Sequence, residues 1–221
     1  MQFGMFYGAV SLAFSVAYGI AFLRRAPTTT RTAVKALAVA FLAFVVLIED
    51  GPWLLAAALA LCAIGDGFLA RDGEADFQRG LAAFLAGHLV YIVLFLFAGG
   101  GLGLGWPAIL AQVGVIACAA FMARRLEPHL GAQRLPVFAY VAVITLMTVL
   151  ALGLPPVLWL AALGALLFMT SDAILAFERF AWPADAPQRA WSDRAVWALY
   201  YAAQALIVLS FLDRPDAPTA G

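Results

Sequence analysis

Apolar residues run through this chain in long blocks, interrupted by short stretches that are either charged or rich in Gly and Pro. About eight blocks can be marked, at 4–23, 33–49, 53–70, 79–98, 106–123, 136–152, 156–178 and 192–212. Each approaches the ~20 residues that cross ~30 Å of hydrocarbon at ~1.5 Å per helical residue. Backbone polar groups in lipid must be satisfied within the segment, so the blocks are expected to be helices and not strands. The pattern predicts an all-α, polytopic membrane bundle of about eight transmembrane helices. It forms one domain over 1–213, followed by a flexible tail at 214–221.

Composition agrees: 65% of residues are hydrophobic and 12% charged, with a mean hydropathy of +0.96. Net charge is zero, which gives no electrostatic footprint for nucleic acid. Cys62 and Cys118 fall inside apolar blocks with no metal-type spacing and read as packing residues. The opening Met1-Gln2-Phe3-Gly4 lacks a positive region and Arg24-Arg25 follow the first block, so a span is expected there and not a signal peptide.

The basic residues add an orientation. The loops at 50–52, 99–105 and 153–155 carry no Lys or Arg. All of the 13 Lys and Arg residues except Arg214 lie at or beside the loops 24–32, 71–78, 124–135 and 179–191. By the positive-inside rule those loops are cytoplasmic and both termini are outside, in what is expected to be a bacterial inner membrane.

Within this hydrocarbon pattern two carboxylates stand out. Gly65-Asp66-Gly67-Phe68-Leu69-Ala70 ends the third block, and Ser171-Asp172-Ala173-Ile174-Leu175-Ala176 lies in the seventh. A charged group inserted into a membrane helix costs roughly 2.5–3.5 kcal/mol, so two at matching places call for a role. The match, together with Phe22-Leu23-Arg24-Arg25 against Phe121-Met122-Ala123-Arg124-Arg125, reads as a duplication into parallel repeats at 1–105 and 106–213.

Helical rise from the nearest basic residue gives depth. Lys35 lies ~6 Å in from Arg31, Asp66 ~7 Å from Arg71, and Asp172 ~10 Å from Arg179. Tyr140 and Tyr200 lie ~9 Å in, and His88 ~13 Å. Polar residues therefore gather in one half of the membrane, while the other half offers little beyond Glu49 and Asp50. Each has a plain reading as well. Lys35 can extend to the headgroups. His88 and Tyr91, at i and i+3, can cross-link helices, as can Gln204. Tyr140, Tyr200 and Tyr201 suit an interfacial aromatic belt. Ser171 can bond its own helix or orient Asp172.

Other chemistries lack their residues. There is no Gly-x-Ser-x-Gly elbow, and His129 and His88 are too few for a multi-histidine metal site. The glycines from Gly99 to Gly105 form a turn between apolar blocks, and no phosphate-binding loop precedes a helix. What is left is an acid–base set built on two carboxylates, with no metal and no cofactor expected.

The pattern Gly65-Asp66, Phe77-x-x-Gly80, Phe84-x-x-x-His88-x-x-Tyr91, Gly164-Ala165, Phe168-x-x-Ser171-Asp172, Leu175-Ala176 and Tyr200-Tyr201 before Gln204 resembles the YhhN-like lysoplasmalogenase family of membrane hydrolases. The resemblance covers the second to eighth spans. Where that family tends to have Lys-Pro-Leu this chain has Lys35-Ala36-Leu37, which removes a kink. The resemblance implies cleavage of the vinyl-ether bond of lysoplasmalogens to a fatty aldehyde and a glycerophospho-alcohol, with a lysophospholipid and membrane lipids as partners. It implies Asp66, Asp172 and His88 as catalytic residues around one cavity. Lys35, Tyr91, Tyr140, Ser171, Tyr200 and Gln204 would be substrate-binding. Two other classes fit the same residues: a transporter or flippase of a small amphiphile using the aspartates as a proton relay, and a lipid-binding protein without catalysis.

Overall fold

The computed structural model describes residues 2–103 and 105–212. Arg214 and the tail at 214–221 lie outside the described residues. Among those described there are eight α-helices and no strand. They are α1 (Gln2–Ala17), α2 (Thr29–Ile48), α3 (Trp53–Leu69), α4 (Glu74–Phe97), α5 (Trp106–Leu126), α6 (Arg134–Leu152), α7 (Trp159–Ala176) and α8 (Ser192–Leu212). α1 and α7 each run on into a π-helical turn, Tyr18–Phe22 and Phe177–Ala181.

Several helices start earlier than the apolar blocks. Hydropathy stops at the first charge, but backbone hydrogen bonding does not. α2 begins at Thr29 because Thr28 Oγ1 accepts the Arg31 N–H at 3.1 Å. α4 begins at Glu74, after Gly73 turns the chain at φ +138°, and Glu74 and Asp76 favour the positive end of its dipole. Among the described residues, seven helical segments are long and apolar enough to cross a membrane by length and composition. α3 falls short of that: its 17 residues reach only ~26 Å at the α-helical rise. Pro52 fixes its start, and it packs between α2 and α4 with Leu55, Ala58, Leu59 and Cys62 fully buried.

Side-by-side packing orders the helices into a ring, α2–α3–α4–α6–α7–α8, closed by α8 against α2. α1 lies outside against α2, and α5 outside against α6. The outer pair carry large apolar side chains exposed on the surface, Phe3, Phe6 and Ile20 on the first, Trp106, Leu110 and Val113 on the second. Such a surface is stable only against hydrocarbon. Gln112 holds α5 in place, its Nε2 donating to Gly101 O and Val149 O, both at 2.9 Å.

α7 packs closely on α8. A Cβ at Gly164 would stand 2.8 Å from Ala203 O, a backbone atom that cannot swing away. Gly164→Ala is therefore expected to cost ~1–3 kcal/mol as overpacking. At Gly67 an added Cβ meets only Thr32 Cγ2 at 3.9 Å, so Gly67→Ala should be neutral. Thermal unfolding of both in one detergent checks this; equal shifts would contradict it.

Candidate active site

All eight helices end or begin around a cavity of about 650 Å³. It opens at the end of the bundle that holds every described Lys and Arg. On α3 a glycine brings a neighbouring ring close to the backbone. Because residue 65 is glycine, the Phe84 ring of α4 presses on the α3 backbone, where a Cβ would come within 2.6 Å of the ring. The next residue, Asp66, is 1% exposed.

Asp66 is bound on both oxygens. Lys35 Nζ lies 3.3 Å from Oδ1, and Tyr200 Oη donates to Oδ2 at 2.6 Å. The Lys35 ammonium does not reach the headgroups. It is held between the rings of Tyr18 and Trp197, at 5.8 and 5.9 Å from their centroids. Trp197 is fixed in turn by donating Nε1–H to Ser15 O at 3.0 Å. The missing kink in Lys35-Ala36-Leu37 thus leaves a lysine that still turns inward.

Asp172 faces the same cavity from α7 and accepts one hydrogen bond, from Tyr140 Oη at 2.5 Å. Among the described residues it forms no ion pair, which separates it from Asp66. Tyr140 and Tyr200 are therefore carboxylate partners and not a membrane-surface belt. Tyr201 bonds Ser11 Oγ at 2.8 Å, joining α8 to α1. Ser171 bonds neither its own helix nor Asp172; its Oγ donates to Val196 O of α8 at 2.9 Å.

His88 departs from expectation. It is fully buried and does not line the cavity; neither ring nitrogen has a hydrogen-bond partner among the described residues. Its ring packs edge-on against Phe168 and Tyr140, at 4.6 and 5.2 Å. Tyr91, one turn along the same face, donates to Gln204 Oε1 at 2.5 Å, and both are sealed in the core away from the cavity. The expected single cavity thus holds both aspartates, Lys35, Tyr140, Ser171 and Tyr200, and leaves His88, Tyr91 and Gln204 behind its wall. Those three can act on a ligand only through other side chains, His88 through Tyr140. Among the described residues no three His, Cys, Asp or Glu side chains are grouped to hold a metal ion.

Several aromatic and basic side chains join the aspartates in the lining. Trp197 is three residues before Tyr200 and so shares its face. Tyr18 lies six residues before Arg24, ~9 Å in, the same depth as Tyr140 and Tyr200. In the sequence Phe84 stands in a motif and Arg31 marks the membrane edge, and neither position by itself signals a cavity wall. Arg31 lines the mouth.

The model of the YhhN family matches residues 30–211 of this chain. Lysoplasmalogenase TMEM86B of Homo sapiens is 38% identical over 166 residues, covering 75% of this chain and 66% of that protein. Lysoplasmalogenase TMEM86A of Bos taurus is 31% identical over 209 residues, 90% and 72% of the respective chains. A lysoplasmalogenase of Mycobacterium bovis is 31% identical over 170 residues, 75% and 62%. The chain spans about two thirds of the length of the curated relatives it matches. No solved structure matches it.

Proposed function

The chain belongs to the YhhN family, and on that premise we propose that it is an integral membrane hydrolase of lysoplasmalogens, cleaving their vinyl-ether bond by two-carboxylate catalysis. The observation that carries the mechanism is the inequality of the two acids: Lys35 bonds Asp66 and no cation bonds Asp172. A carboxylate beside an ammonium stays ionised, whereas a desolvated acid without one keeps its proton. The pair therefore divides into an acid, Asp172, and a base, Asp66.

Asp172 gives its proton to the alkenyl carbon remote from the ether oxygen, and the oxygen lone pair makes the neighbouring carbon an oxocarbenium ion. Asp66 stabilises that cation and takes a proton from the water that attacks it. The hemiacetal then loses its hydroxyl proton to Asp172 and breaks its bond to the glycerol oxygen, which takes the proton back from Asp66. A fatty aldehyde and a glycerophospho-alcohol leave, with both acids restored. The apolar wall of Phe84, Val141, Ile144 and Met169 suits the alkenyl chain.

A transporter needs a path to the other face. Beyond the cavity floor the bundle is filled by Leu55, Leu59, Phe95 and Met147, all fully buried, so the observations favour the hydrolase. Product analysis tests it: purified protein should release aldehyde from an alkenyl lysophospholipid and nothing from the acyl analogue. Release of fatty acid from the acyl lipid would contradict the vinyl-ether assignment.

We place the cavity mouth on the cytoplasmic side of a bacterial inner membrane, with both termini outside, from the Lys and Arg bias. In a Cys118→Ala background, Gly101→Cys should react with an impermeant thiol reagent in sealed cells and Ala26→Cys should not. The reverse labelling would invert the topology. We also read the halves 1–105 and 106–213 as parallel repeats; α1 outside α2 and α5 outside α6 support this.

A further inference from the structure

We propose that Arg31 is the phosphate-recognition residue of this cavity, so that the ligand is held by its phosphodiester at the mouth with its ether bond at the aspartates. This rests on the lysophospholipid reading above and adds to it where the headgroup binds. Lys35, the obvious cation, is not available, being bound to Asp66 and enclosed by Tyr18 and Trp197. Arg179, also at the mouth, is paired with Glu74 at 2.7 Å. Arg31 has no carboxylate partner among the described residues. Its Nε–H is buried without an acceptor, and the one side-chain hydrogen bond it makes is a long 3.5 Å contact to Leu23 O.

A buried guanidinium donor without an acceptor is costly, and its planar fork matches two phosphate oxygens. The acids nearest the mouth do not supply the acceptor: Asp193 is bound to Arg24 at 2.6 Å and Glu178 to Ser192 at 2.8 Å, while Asp72 is exposed. Arg31 also sits in the first turn of α2, whose dipole favours an anion. Arg31 lies one helical turn outward from Lys35, ~6 Å along the axis. That is the reach of a glycerol backbone from an ether oxygen near Asp66 to its phosphorus. Arg71, over the Phe68 ring at 5.8 Å, flanks the same opening.

The test is binding, which does not depend on hydrolysis. An alkyl-ether lysophospholipid, with no vinyl bond to cleave, is titrated against the alkylglycerol of the same chain length, with native mass spectrometry as readout. Wild type should prefer the phosphate-bearing ligand at least ~10-fold, the discrimination expected of charge-assisted hydrogen bonds. Arg31→Gln should bring the ratio near unity, and Arg31→Lys, which keeps charge but loses the fork, should fall between. A ratio unchanged in either variant overturns the assignment. Inorganic phosphate displacing the lipid at comparable concentration would make this a free-phosphate site and also overturn it. Aldehyde release with no effect of Arg31 on binding would leave the proposed reaction standing and this inference refuted. The converse result, an Arg31-dependent preference without aldehyde, would keep the inference and refute the reaction.

Discussion

Asp172→Asn is expected to lower aldehyde release from an alkenyl lysophospholipid at least ~10²-fold, the scale of a lost general acid. The amide keeps the size of the side chain and can still accept from Tyr140, but it cannot give a proton to carbon. Asp66→Asn should cost a similar factor, since the cation loses its counter-charge and the water its base. The double variant should be little worse than either single one, because groups acting as a unit fail together. Asp172→Asn should fold as wild type, as a neutral amide is cheaper to bury than a charge, whereas Asp66→Asn leaves the Lys35 ammonium without its carboxylate and should lose stability as well as activity. Full activity in either Asn variant would remove that residue from the mechanism. Losses that multiply in the double variant would show two independent roles.

The second large effect concerns the ion pair. Lys35 is 12% exposed and Asp66 1%, so both charges are largely withdrawn from bulk solvent. Lys35→Met leaves Asp66 buried without its cation, and breaking a buried pair from one side costs ~3–5 kcal/mol. Removing the other charge should reverse most of this, because an apolar side chain beside a neutral amide leaves no uncompensated charge. Lys35→Met with Asp66→Asn is therefore expected to regain stability and to stay inactive. Denaturation in one detergent, read beside aldehyde release, separates the two consequences. A single Lys35→Met variant as stable as wild type would mean that the pair does not hold Asp66 ionised.

What the sequence made legible followed from cost. A carboxylate in hydrocarbon is conspicuous, so Asp66 and Asp172 stand out, and helical rise from the nearest basic residue gives the depth of Tyr140 and Tyr200. Depth along an axis is a matter of helical rise. Direction around the axis is not, because it depends on which ridges meet which grooves. That is why depth alone groups His88 and Tyr91 with the cavity, whereas both lie behind its wall, with Tyr91 bonded to Gln204. It is also why Lys35 could be assigned to the headgroups or to a carboxylate and only packing decided. The place of α5 outside the ring likewise depends on neighbours and not on local pattern.

Proton transfer from Asp172 to carbon is the central claim, and hydrolysis in D2O tests it most directly. With excess protein over alkenyl lysophospholipid, wild type should give an aldehyde carrying one deuterium on the carbon next to the carbonyl. Asp172→Asn should give none on the same time scale. An aldehyde formed without deuterium, or deuterium appearing equally fast with Asp172→Asn, would contradict the account.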